Sequence, residues 1–226
     1  MNDIYANPLF GIALTILAFH FGVYLNRKTK SPIVNPLLIA IIFVIAVLQI
    51  FGIPLQAYNN GGNIINMFIG PATAVLGYSI YKQVTILKKY FIPIVAGCFV
   101  GSLASIGSVY GLCKLLSMEN TLLSSLIPKS VTTAIAIEIS EQLGGIPSIT
   151  VAIVIITGVL GAVLGPFLIK LFHIDHEVAQ GVAFGTASHA VGTSKALELG
   201  EVQGAMSGIA IGVSGIITVI LSLILK

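Results

Sequence analysis

Five stretches of this 226-residue chain contain no Asp, Glu, Lys or Arg over a length that can cross a lipid bilayer. A membrane helix needs about 20 predominantly apolar residues, because each residue adds about 1.5 Å across a hydrocarbon core of about 30 Å. The stretches cover residues 8–25, 32–52, 91–113, 142–169 and 202–225, and we expect the fourth helix to begin near Pro147. So many apolar segments in one short chain predict an integral membrane protein.

The composition excludes other classes of protein. Only 8% of the residues are charged, compared with about 25% in soluble domains. The net charge of +3 comes without a basic, aromatic-rich block, so no nucleic-acid partner is expected. Cys98 and Cys113 lack Cys or His neighbours at ligand spacing, so we expect no disulfide scaffold, metal site or cofactor. Motifs of hydrolases, metalloproteases and nucleotide-binding enzymes are missing, so we expect no enzyme.

Three further segments are apolar but interrupted by helix-breaking or polar residues. They cover residues 63–81, 121–140 and 178–199, and their breaks centre on Gly70, Pro71, Pro128, Gly185 and Gly192. Unpaired backbone groups are costly in hydrocarbon unless they are buried in protein or line a wet cavity, so such breaks mark a binding site or a path through the membrane. Each segment is long enough to cross as two half-helices or to re-enter as a hairpin.

The segments together predict an all-α membrane protein, a polytopic bundle of about eight segments with broken or re-entrant helices. We treat residues 1–226 as a single polytopic domain. Residues 1–25 lack a basic region before the apolar run, so we expect a retained first helix. Paired interrupted segments also suggest an internal repeat, with halves of about 1–117 and 118–226.

Lysine and arginine positions predict the orientation. Six of the eleven lie in two loops without acidic residues, namely Arg27, Lys28, Lys30, Lys82, Lys88 and Lys89. Short cytoplasmic loops carry the excess of these residues. Both loops are cytoplasmic if residues 32–52 and 63–81 each cross once, which places the N-terminus outside. A location in the cell membrane follows.

Glycines and alanines four residues apart predict close helix packing, because small residues let helix backbones approach each other in lipid. The pairs are Gly97 and Gly101, Gly158 and Ala162, Gly161 and Gly165, and Gly208 and Gly212. The alternative is that glycine is simply common in membrane helices.

The strongest candidate for a binding residue is Lys129. A lysine at the centre of a bilayer costs about 2.5–3.5 kcal/mol, so it is expected to face a cavity. If Pro128 occupies the first turn of a half-helix, the next backbone N–H groups point at that cavity and form an anion site. The hydroxyls nearby belong to Ser130, Thr132 and Thr133. The alternative is that Pro128 starts a helix at the interface and Lys129 reaches the lipid headgroups.

Residues 185–193 offer similar chemistry, with little bulk and many hydroxyls. The candidate binding residues there are Thr186, Ser188, His189 and Thr193, and Thr73 belongs to the uncharged break near Pro71. His189 either donates a hydrogen bond to a carboxylate or takes up a proton near neutral pH. The alternative is that it only bonds a carbonyl of a neighbouring helix. Further candidates for proton coupling are Glu138, Glu198 and Glu201, although Lys195 and Glu198 also have the spacing of an ordinary surface ion pair.

These runs resemble the LrgB/CidB family over almost the whole chain. The resemblance rests on residues 35–40 (Asn-Pro-Leu-Leu-Ile-Ala), 70–74 (Gly-Pro-Ala-Thr-Ala), 128–133 (Pro-Lys-Ser-Val-Thr-Thr) and 187–193 (Ala-Ser-His-Ala-Val-Gly-Thr), with Glu201 and residues 204–205. It implies an antiholin-like or holin-like regulator of murein hydrolase activity and cell lysis, which acts with a small LrgA/CidA-type membrane partner. It also implies transport, because related systems carry pyruvate, glycolate or glycerate.

Two hypotheses follow. The first is a proton-linked secondary carrier of small monocarboxylates, such as 2-oxo or 2-hydroxy acids, that alternates access around Lys129 and His189. The second is a regulatory or pore-forming protein that controls lysis through its partner. The sequence leaves open whether the chain also forms a homo-oligomer.

Overall fold

The computed structural model describes residues 5–29, 34, 36–68, 71, 74–75, 78 and 81–224. Within these residues the chain forms ten α-helices and no strand, so the predicted all-α membrane fold is confirmed. The chain divides into two compact units, Met1–Val75 and Leu76–Lys226.

The first unit contains three helices: α1 (Pro8–Thr29), α2 (Pro36–Ile50) and α3 (Leu55–Asn66). Helix α1 packs against both other helices through its glycines. Gly11 lies against the backbone of Gly61 in α3, and Gly22 lies against Pro36 at the start of α2. The hydroxyls of Thr15 and Tyr58 hydrogen-bond at 2.9 Å across α1 and α3.

The second unit contains seven helices in its described residues. They are α4 (Val84–Lys89), α5 (Phe91–Leu115), α6 (Asn120–Leu126), α7 (Thr133–Gln142), α8 (Pro147–Leu171), α9 (Glu177–Leu199) and α10 (Glu201–Ile224). Helices α5 and α8 have 25 residues each and α10 has 24, enough to cross a bilayer at about 1.5 Å per residue.

All five predicted apolar helices are present, and α8 begins at Pro147 as expected. Four helices are long and apolar enough to span a membrane, namely α1, α5, α8 and α10. The second predicted span is shorter than expected, since α2 has 15 residues. Helix α3 was not predicted, because its polar run of Tyr58, Asn59 and Asn60 hides its apolar residues. The protein is a multi-pass membrane protein.

The first interrupted segment falls partly outside the described residues. Gly70 and Thr73 lie outside them, whereas Pro71 has helical backbone and is exposed. The crossing by residues 63–81, on which the predicted orientation of the N-terminus depends, therefore remains a prediction.

The second interrupted segment folds back on itself. Helix α6 ends at Leu126, the chain turns through residues 127–132, and α7 begins at Thr133. Ser125 and Ser140 stand on either side of this turn, yet both bond the same side chain: Thr150 Oγ1 of α8 lies 3.0 Å from the Ser125 carbonyl oxygen and 2.7 Å from Ser140 Oγ. We call this element the α6–α7 hairpin.

The third interrupted segment, α9, also folds back. His189 has φ 43° and ψ −138°, which no helix contains, so it separates an arm of residues 177–188 from an arm of residues 190–199. Both arms contact one turn of α10: Gly181 lies against the backbone of Gln203, and Leu197 lies against Gly204. A straight helix could not bring positions 181 and 197 to one place, so α9 is a re-entrant hairpin with His189 at its tip.

The two hairpins enter the second unit from opposite ends. We call these ends the Tyr90 end, where α5 begins, and the Leu115 end, where it stops. The α6–α7 hairpin starts and finishes at the Leu115 end, α8 crosses to the Tyr90 end, and the α9 hairpin starts and finishes there. One apolar cluster fills each end, with Ile94, Val182 and Met206 at the first and Ile106, Cys113 and Leu123 at the second.

Glycines explain how the α9 hairpin packs so tightly. A Cβ atom at Gly161 or Gly165 of α8 would overlap Ser188 or Phe184 of α9, and one at Gly101 of α5 would lie 2.6 Å from Thr186 Cγ2. Three of the four predicted small-residue pairs thus lie on helices that approach their neighbours closely. Gly212 differs, because a Cβ atom there would meet no atom within 4 Å.

Candidate functional site

A groove of about 990 Å³ runs along α5 and the first arm of α9. Its walls are mainly small and apolar, because many of the lining residues are glycine, alanine or valine. Its polar lining side chains are Ser105, Ser108, Lys129, Ser130 and Thr186, together with Tyr90 and His176 at the Tyr90 end. The groove therefore joins the turn of the α6–α7 hairpin to one arm of α9.

Lys129 lies at the centre of this arrangement. Its Nζ atom donates to Ser105 Oγ at 3.1 Å, and Ser105 Oγ lies 2.6 Å from Ser130 Oγ. Ser105 stands 10 residues before the end of α5, or about 15 Å at 1.5 Å per residue. Ser105 therefore lies nearer to the middle of α5 than to either end, and the ammonium group lies beside it.

The charge of Lys129 has hydroxyl partners but no carboxylate partner among the described residues. The ion pairs found there join Lys82 to Glu201 and Lys195 to Glu198. Lys129 is half-buried, and a cation withdrawn from water needs a counter-charge or several hydrogen bonds. The site is therefore suited to receiving an anion from outside the chain.

The backbone around Lys129 differs from the expected geometry. Pro128 does not occupy the first turn of a half-helix, because α7 begins five residues later at Thr133. The N–H groups of Lys129 and Val131 donate within the turn, to the carbonyl oxygens of Leu126 and Pro128 at 3.2 Å each. The predicted half-helix that starts at Pro128 is therefore absent, and the N–H groups of Lys129 and Val131 are not free to bind an anion.

The other predicted residues of the α6–α7 hairpin lie beside the groove. Thr132 precedes α7 and its side chain makes no capping hydrogen bond, and Thr133 is the first residue of the helix. Neither lines the groove. Ser130 is thus the hydroxyl of this hairpin that the groove reaches directly.

The predicted residues of α9 divide between the groove and the packing. Thr186 lines the groove and also donates to Cys98 Sγ at 3.5 Å. Ser188 lies against Gly161, and Thr193 Oγ1 bonds Ser207 Oγ of α10 at 2.7 Å. His189 Nε2 donates to the Val154 carbonyl oxygen of α8 at 2.9 Å, which is the carbonyl-bonded alternative that the sequence left open.

Gly185 and Gly192 allow close packing of α9, and they are not the positions at which the helix breaks. A Cβ atom at Gly185 would overlap the Ser207 carbonyl oxygen, and one at Gly192 would lie 2.5 Å from Ser188 Cβ. The change of direction itself occurs between them, at His189.

The carboxylates proposed for proton coupling lie outside the groove. Glu138, Glu198 and Glu201 are exposed, and Glu198 pairs with Lys195 at 2.6 Å while Glu201 lies 3.6 Å from Lys82. Lys195 and Glu198 therefore form the surface ion pair that their spacing allows.

Sequence reasoning missed Ser105 and Ser108. Both stand in an uninterrupted apolar helix, so they lack the broken-helix signal that marked the other candidates. A usable signal was present, because Ser102, Ser105 and Ser108 recur every three residues and so form one polar stripe on α5.

Comparison with known proteins agrees with the sequence motifs. The LrgB-like family matches residues 15–226. The chain is 39% identical to the antiholin-like protein LrgB of Bacillus mycoides (strain KBAB4), and 38% identical to the proteins of that name from Bacillus cereus (strain B4264) and Bacillus anthracis (strain CDC 684 / NRRL 3495). Each alignment covers 94% of this chain and 93% of the relative. No solved structure matches the chain.

The match extends through both hairpins and the groove. The chain belongs to the LrgB-like family.

Proposed function

We propose that the protein is a secondary carrier of small monocarboxylates, such as pyruvate or glycolate, and that Lys129 binds the carboxylate. The observation that carries the proposal is the ammonium group of Lys129, which lies beside the middle of α5, has Ser105 as a hydrogen-bond partner and lines a groove. A monocarboxylate supplies the one negative charge that this lysine lacks. The hydroxyls of Ser130 and Thr186 suit an oxygen at the second carbon of the substrate.

The groove also limits the charge of the substrate. Its walls near Lys129 are made of Gly101, Ala104 and Ala187, which offer no further cation to a second carboxylate. A dicarboxylate would bury an unpaired charge, at a cost that a monocarboxylate avoids. The proposed class is therefore acids with one carboxylate.

The lysines support an orientation for this carrier in the cell membrane. Five described lysines of the second unit lie at the Tyr90 end, namely Lys82, Lys88, Lys89, Lys170 and Lys195, whereas Lys114 lies at the Leu115 end. The excess of positive charge favours a cytoplasmic Tyr90 end. The groove would then be open toward the cytoplasm.

The test is uptake of labelled pyruvate and glycolate into proteoliposomes. We expect Lys129→Gln to reduce uptake at least about tenfold, because a hydrogen bond to a charged group contributes about 1.5–3 kcal/mol. Lys195→Gln is the matched control, since Lys195 belongs to an exposed ion pair, and should change uptake less than about twofold. Equal flux in empty, native and Lys129→Gln vesicles would exclude these substrates, provided that the small LrgA/CidA-type partner has also been added.

The proposal includes coupling to protons. Uptake should then rise when the vesicle interior is alkaline and fall when a protonophore is added. Uptake that follows only the substrate gradient, with no response to the pH gradient, would remove the coupling and leave the carrier.

A second function, regulation of murein hydrolases and lysis, is favoured by the names of the similar proteins, which are called antiholin-like. It predicts that deletion of the gene changes the timing of lysis and the hydrolase bands on a zymogram. Complementation with Lys129→Gln separates the two functions. If this variant loses uptake but restores lysis timing, regulation does not depend on transport.

A further inference from the structure

We infer that residues 91–146 and 147–202 form an inverted repeat, and that its two hairpins are gates on opposite faces of the membrane that serve the one Lys129 site. Each half consists of a long helix followed by a re-entrant hairpin: α5 with the α6–α7 hairpin, and α8 with the α9 hairpin. The repeat stands on topology and sequence alone, whereas the gating rests on the proposed function.

The first argument is the equal length and spacing of the two halves. Helices α5 and α8 contain 25 residues each, and α8 begins at Pro147, 56 positions after the start of α5 at Phe91. The same offset pairs identical residues along the chain: Lys114 with Lys170, Leu115 with Leu171, Ala134 with Ala190, Leu143 with Leu199, and Gly144 with Gly200. It also pairs Ser130 with Thr186, and these two side chains line one groove.

The second argument is the identical geometry at the ends of the two long helices. Ser117 and His173 both have φ 51°, an unusual value for residues other than glycine, and they stand 56 positions apart. The hydrogen bonds around them correspond as well. The N–H of Met118 donates to the carbonyl oxygen of Cys113 at 2.9 Å, and the N–H of Ile174 donates to the carbonyl oxygen of Ile169 at 3.0 Å.

The third argument is a tertiary contact that occurs twice. Ser125 of the α6–α7 hairpin contacts Thr150 of the next helix, α8. At the equivalent positions, Gly181 of the α9 hairpin contacts Met206 of the next helix, α10, where a Cβ atom on the glycine would lie 2.8 Å from Met206 Cβ. The first such contact lies toward the Leu115 end and the second toward the Tyr90 end, so the two halves are inverted.

The inversion gives the site two routes. The groove follows α5 and the first arm of α9 to Tyr90 and His176, so it reaches the Tyr90 end. The equivalent route to the Leu115 end is closed by the cluster of Ile106, Val109, Cys113, Leu123 and Ile127 between α5 and α6. Because the repeat makes the two routes equivalent, a second state exists in which that cluster separates and the α9 arm closes. Cys113 lies in the closed route and reports its opening.

The repeat is tested by single cysteines in a chain that carries Cys98→Ser and Cys113→Ser. The four exposed positions are Glu119 and Gln142, at the two ends of the α6–α7 hairpin, and Glu177 and Leu199, at the two ends of the α9 hairpin. A membrane-impermeant maleimide is added to right-side-out and inside-out vesicles. We expect 119 and 142 to be labelled from one side, and 177 and 199 from the other.

Labelling of the two ends of either hairpin from opposite sides, or of all four positions from one side, would overturn the repeat. This readout needs no substrate, so it stands or falls independently of transport.

The gating is tested with native Cys113 in the Cys98→Ser chain. We expect an impermeant maleimide added at the Leu115 side to modify Cys113, and saturating pyruvate to change the rate at least about threefold, because a ligand redistributes two states that bind it unequally. Lys129→Gln should abolish the pyruvate effect and keep the basal labelling. An unchanged rate in a protein that does transport pyruvate would contradict the gating, and a protein that transports no monocarboxylate would remove the gating but not the repeat.

Discussion

The α6–α7 hairpin and the α9 hairpin have corresponding places in the fold but are held in different ways. The first is tied to α8 by directional bonds, because Thr150 bonds both Ser125 and Ser140, and the Ile146 N–H donates to Ser125 Oγ at 2.7 Å. The first arm of α9 is packed mainly through glycines of its own and of its neighbours.

The difference concerns which hairpin can move at low cost. A hydrogen bond fixes distance and direction, so the α6–α7 hairpin cannot shift without leaving buried hydroxyls unpaired. Contacts between glycine and small side chains have no preferred direction, and packed helices of this kind slide over each other in shear motions. The α9 arm that lines the groove is therefore the gate that moves at lower cost, while the α6–α7 hairpin, which carries Lys129, moves relative to α8 only at a higher cost.

The largest expected effect comes from filling the glycine surface under α9. Gly161→Ala places a Cβ atom onto Ser188, and overpacking of this kind costs about 3 kcal/mol. Gly107→Ala is the matched control, because a Cβ atom there meets nothing within 4 Å. The midpoint of thermal unfolding in detergent, followed by circular dichroism, should fall for the first variant only. Equal midpoints for both variants would show that the α9 packing tolerates a methyl group.

The next effect concerns the bonds of the α6–α7 hairpin. Thr150→Val removes the hydroxyl that holds Ser125 and Ser140 while keeping the shape of the side chain, so we expect a loss of about 2 kcal/mol in the free energy of unfolding. Thr121→Val, at the exposed start of the same hairpin, serves as the control. If the two variants are equally stable, the hydroxyl network does not hold the hairpin.

A smaller effect is expected within the second arm of α9. Thr193→Val removes the hydroxyl that bonds Ser207 Oγ of α10 and the His189 carbonyl oxygen of its own hairpin, and a loss of about 1 kcal/mol is expected. Ser194→Ala, the exposed neighbour whose hydroxyl bonds its own helix, should leave stability unchanged. Thermal unfolding of both variants gives the comparison, and a cost for Ser194→Ala as large as for Thr193→Val would argue against the contact between the arms and α10.

The smallest effect is expected at the surface of α9. Glu198→Gln breaks an exposed ion pair with Lys195, so stability should change by less than about 0.5 kcal/mol and carboxylate uptake should be preserved. Uptake measured with and without a pH gradient provides the check. A loss as large as that of Lys129→Gln would instead give this carboxylate a role in coupling.

The sequence predicted the apolar helices because absence of charge over about 20 residues is a local property. It could not decide whether the interrupted segments cross or return, because that depends on distant contacts such as those of Thr150 with the two arms of the α6–α7 hairpin. The 23 residues of α9 have enough length to cross, and only its contacts with α10 show that it returns.

Residues of the candidate site were predictable where placing the side chain in the membrane costs much free energy, and not where it costs little. Lys129 was found because a charged side chain within a membrane segment costs free energy and therefore indicates a functional role. Ser105 was missed because a serine inside a helix can satisfy its hydroxyl on its own backbone. The expectation of a half-helix at Pro128 was wrong because proline is also common in turns, and Pro128 lies in the turn of residues 127–130.

The matched bends at Ser117 and His173 have an evolutionary consequence. If residues 91–146 and 147–202 are an inverted repeat, they descend from one segment able to insert in either direction. Before duplication, such a segment would build this core only as a pair of molecules, one upright and one inverted. Fusion into a single chain would then free the copies to diverge, so that one hairpin carries an ammonium group and the other an imidazole.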